Sequence, residues 1–377
     1  MHSHHSHSGQ FCKHASSSLR EVISVARGLG FTHFHFSEHC PREQTEDLYP
    51  EEVEAGLNPQ GLLDTFVSYL HTARCIQAEE RVNDGIHILV GCETENITPL
   101  RSISYLSTIL SRIGGQDTDN PPPYVGAGVV DYMVGSVHHV HGVPIDFDKG
   151  TFEKALSVAE SGASAYNALV SSYLDLQYEV MERLRPEIIG HMDLYRLYFP
   201  TVVLDTPALN EKLDRNIRYA ASYGALFEAN SAAFRKGWNG ETYPGRHVLC
   251  HILAAGGRIA LSDDSHGTAQ VSLNYVRMRE YLLAEGVDEI WYLEADDAEW
   301  PTLVEERRTS FETAEQARRA REALAAPGLD TRCPVRFPRG TRAISMKNWD
   351  TLPFWDGVSE RRTPSVSCDA FARGTGA

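Results

Sequence analysis

Residues 31–39, FTHFHFSEH, set β-branched and aromatic side chains at alternating positions and then break into Ser37-Glu38-His39. Alternation with period two is the signature of an extended chain, so the stretch predicts a strand that ends in metal-binding or hydrogen-bonding groups. Upstream, Ser18-Leu19-Arg20-Glu21 fits a capping box. Leu19, Val22, Ile23, Ala26 and Leu29 then recur at helical spacing until Gly28 and Gly30 stop the run. A helix therefore precedes the strand.

The same grammar repeats downstream. Ile86-His87-Ile88-Leu89-Val90 runs into Gly91-Cys92-Glu93, and Tyr132-Met133-Val134-Gly135-Ser136-Val137 runs into His138-His139. Glu187-Ile188-Ile189-Gly190 meets His191-Met192-Asp193, and Leu226-Phe227-Glu228-Ala229 meets Asn230. Arg258-Ile259-Ala260-Leu261 meets Ser262-Asp263-Asp264-Ser265-His266. Helix-like segments at about 60–82, 151–160, 164–184, 208–223 and 269–285 separate these strands, and Ile290-Trp291-Tyr292-Leu293 completes the alternation. Alternating β and α segments imply parallel strands, and chemistry collected at strand C-termini is what a TIM-like barrel provides. The expected fold is α/β, with one domain over residues 1–350. Residues 114–128, GGQDTDNPPPYVGAG, form a turn-rich insertion, a surface loop or a lid, and 351–377 form a loosely packed or disordered tail.

Composition narrows the function classes. The 377 residues are 42% hydrophobic, enough for a full core, yet no run of about 18 apolar residues predicts a membrane span. The N-terminus has no basic region followed by an apolar run, so a secretory signal is not expected and a cytoplasmic location is. Seven scattered cysteines without a CxxC pair read as buried thiols rather than a disulfide frame. A net charge of −16 at pH 7, without a large Lys/Arg cluster, opposes binding to a long nucleic acid.

The chain opens MHSHHSHSGQFCKH, in which His5 and His7 lie two apart and so share one side of an extended backbone. Unlike the unbroken run of an affinity tag, this stretch alternates His with Ser. A single buried His is usually a hydrogen-bonded core residue, and His33, His35, His71 and His87 are left in that role. Convergence changes the weight for the others: HSH at 5–7, His14, SEH at 37–39, GCE at 91–93, SVHH at 136–139, GHMD at 190–193 and DSH at 264–266 all fall at strand ends. Imidazole and carboxylate donors without thiolate suit Zn²⁺, Fe or Mn²⁺.

The ordered series HxH, EH, GxE, SxH, GHxD and DxH resembles the PHP (polymerase and histidinol phosphatase) family over about residues 2–300. HSHHSHSGQFCKHA, TEDLYPEE and DYMVGSVHHVHG are similar to its monofunctional, fungal-like histidinol-phosphatase branch. The resemblance implies a distorted (β/α)7 barrel with three divalent metal ions at the strand C-terminal ends. It also implies a small-molecule substrate, L-histidinol phosphate, hydrolysed to L-histidinol and phosphate. One ion would take His5, His7, Glu93 and Asp264, a second Glu93, His138 and His191, and a third His14, His39 and His266. Glu93 would bridge two of them, with Glu93, Asp264 and His191 at the catalytic centre. The DDSH run leaves Asp263 or Asp264 as the ligand, and the DxH spacing favours Asp264.

Phosphomonoester hydrolysis is very slow in water, and metal ions address it by acidifying a bound water and neutralising phosphate oxygens. Arg235 and Lys236 in NSAAFRKGWNGETYPG are the candidate phosphate clamp, with Arg42, Arg196 and Arg246 as the next choices. His139, Asn230 and Glu43 are further candidate substrate contacts, with Glu46, Asp47 and Tyr49 available to the imidazole and ammonium. Competing readings are a phosphoesterase for another small ester, a zinc deaminase or amidohydrolase, and a metal-storage protein.

Overall fold

The computed structural model describes residues 1–116, 124–160, 164–204, 206–238, 240–296 and 335–361. Its centre is a five-stranded parallel sheet in the order Gly91–Glu93, Tyr132–Gly135, Ile188–Ile189, Leu226–Asn230 and Arg258–Ser262. Tyr132, Met133, Val134, Ile188, Ile189, Leu226 and Phe227 are all fully buried. Strands covered on both faces need continuous apolar runs, which is why these segments read as they do. The helices Pro59–Val82, Arg101–Ile113, Ala165–Leu184, Pro207–Ser222, Arg246–Ala254 and Tyr275–Ala284 pack around them. Leu19–Gly28 is the expected first helix, and Ser18 and Glu21 close its capping box. The fold is thus α/β with a parallel sheet. No helix among the described residues is long and apolar enough to cross a membrane.

Both edges of that sheet are extended by parallel contacts. His2–Ser3 pairs in parallel with His33–Phe34. Isolated parallel bridges Phe36–Val90 and His39–Glu93 join the second segment to Gly91–Glu93, and Ser6–Ser265 joins the N-terminal segment to the chain leaving Arg258–Ser262. The backbone amide of Leu261 also donates to His2 Nε2 at 2.8 Å.

Two expectations are corrected. The run Ile290–Leu293 is a strand, Glu289–Ala295, but it pairs antiparallel with Thr341–Lys347 in a separate sheet. Trp291 and Leu293 of this strand pack with Leu226 and Ala260 in one apolar cluster, so the run is buried against the parallel sheet without joining its ladder. The packed chain also continues past residue 350. Phe354, Trp355 and Val358 are buried, the ring of Phe354 lies 4.8 Å from that of Phe31, and Trp355 Nε1 donates to the carbonyl of Trp349 at 2.7 Å. The remainder of the expected tail, 362–377, and the middle of the expected insertion, 117–123, lie outside the described residues.

One close approach places Glu93. A Cβ on Gly91 would stand 2.4 Å from the Tyr132 ring on the neighbouring strand, and the Tyr132 hydroxyl is held between the carbonyls of His4 at 2.8 Å and Phe36 at 3.0 Å. The ring cannot retreat without disturbing three strands that carry the site. Gly91→Ala should therefore cost about 1–3 kcal/mol in urea unfolding and lower the bound metal. An unchanged unfolding midpoint and metal content would contradict this packing.

Candidate metal centre

The strand ends deliver their side chains to one point, and Glu93 stands in the middle of it. Its Oε1 lies 3.2 Å from His5 Nε2 and 3.1 Å from both His138 Nε2 and His191 Nε2. Its Oε2 lies 3.3 Å from His7 Nε2 and 3.1 Å from His39 Nδ1. Five imidazoles from four segments of the chain therefore converge on one carboxylate. Asp264, at positive φ, brings Oδ1 to 3.6 Å from His5, His7 and His266. His14 completes the edge, its ring 5.4 Å from that of His39 and 5.0 Å from that of His266. All nine residues singled out as ligands meet here.

Neighbouring Asp263 has a different task. It is buried and accepts from Ser3 Oγ and from the backbone amides of Ser265 and Ser272. Burial raises its pKa to about 6 despite those bonds. Of the DDSH pair it is Asp264 that faces the imidazoles.

Burial penalises every charge in the cluster, and the groups offset it only by facing one another. Desolvation works against ionised Glu93, yet His5 and His138 hold its carboxyl well below the usual range. Desolvation likewise opposes a charged His7, but Glu38 and Glu93 raise it to about 9. His39, with burial and His7 both against it, is lowered to about 3. Even so, His5 Nε2, both ring nitrogens of His7 and both of His39 have no hydrogen-bond partner although they are buried. Buried polar atoms seldom go unsatisfied, and a cation is the partner such nitrogen and carboxylate lone pairs accept. Donor atoms cluster within 4.8 Å of one another in the sets His5, His7, Asp264 and Glu93, His138, His191. The residues fit metal ions.

Several members of the centre were not singled out by sequence. Glu228 Oε2 takes His5 Nδ1 at 3.0 Å, while its Oε1 accepts the backbone amide of His191 at 2.6 Å. Glu38 accepts from Ser8 and lies 3.6 Å from His7 Nδ1. Glu95 lies 3.2 Å from His138 Nδ1. Carboxylates behind ligand imidazoles fix ring orientation and tautomer, so these three are positioning groups. Cys12 joins His7, His39 and His266 in a further set, which brings a thiol into a site expected to lack one.

A cleft of about 600 Å³ opens over the cluster, lined among others by Tyr49, Glu51, Asp146, Phe147, Arg235 and Lys236. Arg235 donates to the carbonyl of Asp264 at 2.8 Å. Tyr49 is the expected contact that also lines this cleft, and six other candidates lie elsewhere. Glu43 is on the surface with Arg101 at 2.8 Å. Buried Asn230 donates to Glu228 and accepts the amide of Ala232. His139 sits behind the wall, its ring parallel to that of Tyr49 and its Nδ1 3.5 Å from Glu95. Arg42, Arg196 and Arg246 pair with Glu52, Asp193 and Glu285 respectively. None of these six lines the cleft.

Comparison with known proteins agrees with this geometry. The PHP domain family profile matches residues 3–232. A Schizosaccharomyces pombe protein named probable histidinol-phosphatase is 40% identical over 296 residues, 78% of this chain and 89% of its own. The Saccharomyces cerevisiae histidinol-phosphatase is 29% identical over 314 residues, 75% of this chain and 88% of its own. The Lactococcus lactis histidinol phosphate phosphatase, solved with zinc, L-histidinol and phosphate, shares the fold at 21% identity. Its TM-score is 0.53, with 77% of this chain and 95% of its own covered.

If Glu93 is shared between ions, Glu93→Gln should weaken zinc binding further than the roughly 10- to 100-fold expected for losing an outer partner such as Glu228. Competition with a chromophoric chelator measures both variants. Wild-type affinity in Glu93→Gln would rule out its central place.

Proposed function

The chain belongs to the PHP domain family, and from that premise we propose that it is a metal-dependent phosphomonoesterase that hydrolyses L-histidinol phosphate to L-histidinol and phosphate. The observation that carries the reading is the single carboxylate of Glu93 within 3.3 Å of five imidazole nitrogens at the floor of a cleft. The 40% identical relative's name supplies the substrate. The strand pairings and parallel bridges together support a closed, distorted seven-stranded barrel, with the described chain as one domain.

Three divalent ions would be held. His5, His7, Asp264 and Glu93 would take the first, and Glu93, His138 and His191 the second. His39 and His266, with His14 or Cys12, would take the third. Zinc is the best-supported metal, given the Lactococcus lactis neighbour. Bound there, the ions supply Lewis-acid polarisation of the phosphoryl group and a lowered water pKa. The chain's own residues then divide the remaining work. Arg235 and Lys236, on the cleft wall, neutralise the phosphate. Asp146 and Glu51 face the ammonium and imidazole, and Tyr49 and Phe147, with ring centroids 5.1 Å apart, offer the imidazole an aromatic surface.

Phosphate release from histidinol phosphate and from a panel of phosphomonoesters, with and without chelator, tests the proposal. Histidinol phosphate should be preferred and chelation should abolish turnover; equal rates across the panel, or activity that survives metal removal, would overturn it. Within that assay Arg235→Ala and Lys236→Ala should each lower kcat/KM about ten- to a hundredfold for both histidinol phosphate and p-nitrophenyl phosphate, because a phosphate contact does not see the rest of the ester. Asp146→Asn should lower only histidinol phosphate. Wild-type behaviour of both basic-residue variants would place the clamp elsewhere.

A further inference from the structure

We propose that His33, His87 and Glu294 form a second, separate metal site at the opposite end of the strands, suited to a borderline first-row cation such as Zn²⁺. His33 and His87 are bridge partners on adjacent parallel strands, just as His39 and Glu93 are. Each member of the first pair lies six residues before its counterpart, and at about 3.3 Å per residue that separates the two places by roughly 20 Å. The ion would therefore not belong to the cluster around Glu93.

Three observations point to a ligand. Donor atoms of His33, His87 and Glu294 lie within 4.8 Å of one another. The two imidazoles stack with centroids 4.6 Å apart, and His33 Nε2 is buried without a hydrogen-bond partner. The tautomer also suits a ligand. Thr32 Oγ1 lies 3.1 Å from the carbonyl of Met1 and 3.0 Å from His33 Nδ1, and with its proton on the carbonyl it accepts from Nδ1 and leaves the lone pair on His33 Nε2. The residues share a cleft of about 450 Å³, distinct from the one over Glu93, and His87 is exposed to it. Packing alone accounts for the stacked rings but gives the orphaned nitrogen no partner.

Two imidazoles and one carboxylate are a familiar zinc donor set that leaves a fourth position for water. Glu294 comes from the strand Glu289–Ala295 of the antiparallel sheet, so the ion would tie that sheet to the parallel strands. Arg342 already holds Glu294 Oε2 at 2.8 Å and would keep the carboxylate ionised and in place.

Elemental analysis of the holoenzyme equilibrated with Zn²⁺ tests the site against His87→Asn and Glu294→Gln. Each variant should bind about one ion fewer than the wild type and keep its phosphatase kcat; equal stoichiometry in all three proteins would overturn the proposal. A second measurement needs no variant. Zn²⁺ added to the metal-stripped wild type should protect His87 from diethylpyrocarbonate, read by peptide mass spectrometry, and unchanged labelling of His87 would refute the site.

Discussion

An ionised carboxylate 1% exposed to solvent and surrounded by five imidazoles is the constraint on which the site is built. Removing such a charge from water costs several kcal/mol, and imidazoles crowded against one another cannot all take a proton to offset it. The opposed shifts within the cluster follow from this, with His7 raised and His39 lowered only a few ångströms apart. Cations held among these residues would resolve the conflict, because they would let every imidazole stay neutral and still face a positive charge.

The surrounding fold holds that arrangement in place. Parallel strands aim their C-terminal ends the same way, so ligands far apart in sequence meet without long loops. Behind them Glu228 bonds the outer nitrogen of His5, and Glu38 and Glu95 stand 3.6 Å and 3.2 Å from those of His7 and His138. Each is itself tied down: Glu228 receives the amide of His191 and the hydroxyl of Ser262, Glu38 receives Ser8, and Glu95 receives the hydroxyl of Tyr49. Preorganisation of this kind would keep imidazole lone pairs aimed at bound ions whether or not substrate is present.

The convergent residues were legible as candidates: His39, Glu93, His138, His191, Asp264 and His266 follow apolar runs, and His5 and His7 stand two apart in an extended segment. The outer carboxylates were not. Glu228 sits inside LFEAN and reads as an ordinary strand residue until the fold brings it to His5, 223 positions away. Glu43 failed for the converse reason: it follows the SEH turn closely in sequence, but the chain carries it to the surface beside Arg101. The strand Glu289–Ala295 has the apolar content of a parallel strand because it is buried against Leu226 and Ala260, but its ladder partner is the antiparallel Thr341–Lys347. Cys12 carried no signal beyond its place two residues before His14.

The most direct test of the central claim is anomalous diffraction from crystals of the metal-loaded protein, collected at the absorption edges of zinc, iron and manganese. The account predicts two anomalous peaks flanking the Glu93 carboxylate, one beside each oxygen at about 2.0–2.2 Å, and a third near His39 and His266. A single peak, or peaks that leave Glu93 without a metal contact, would contradict it.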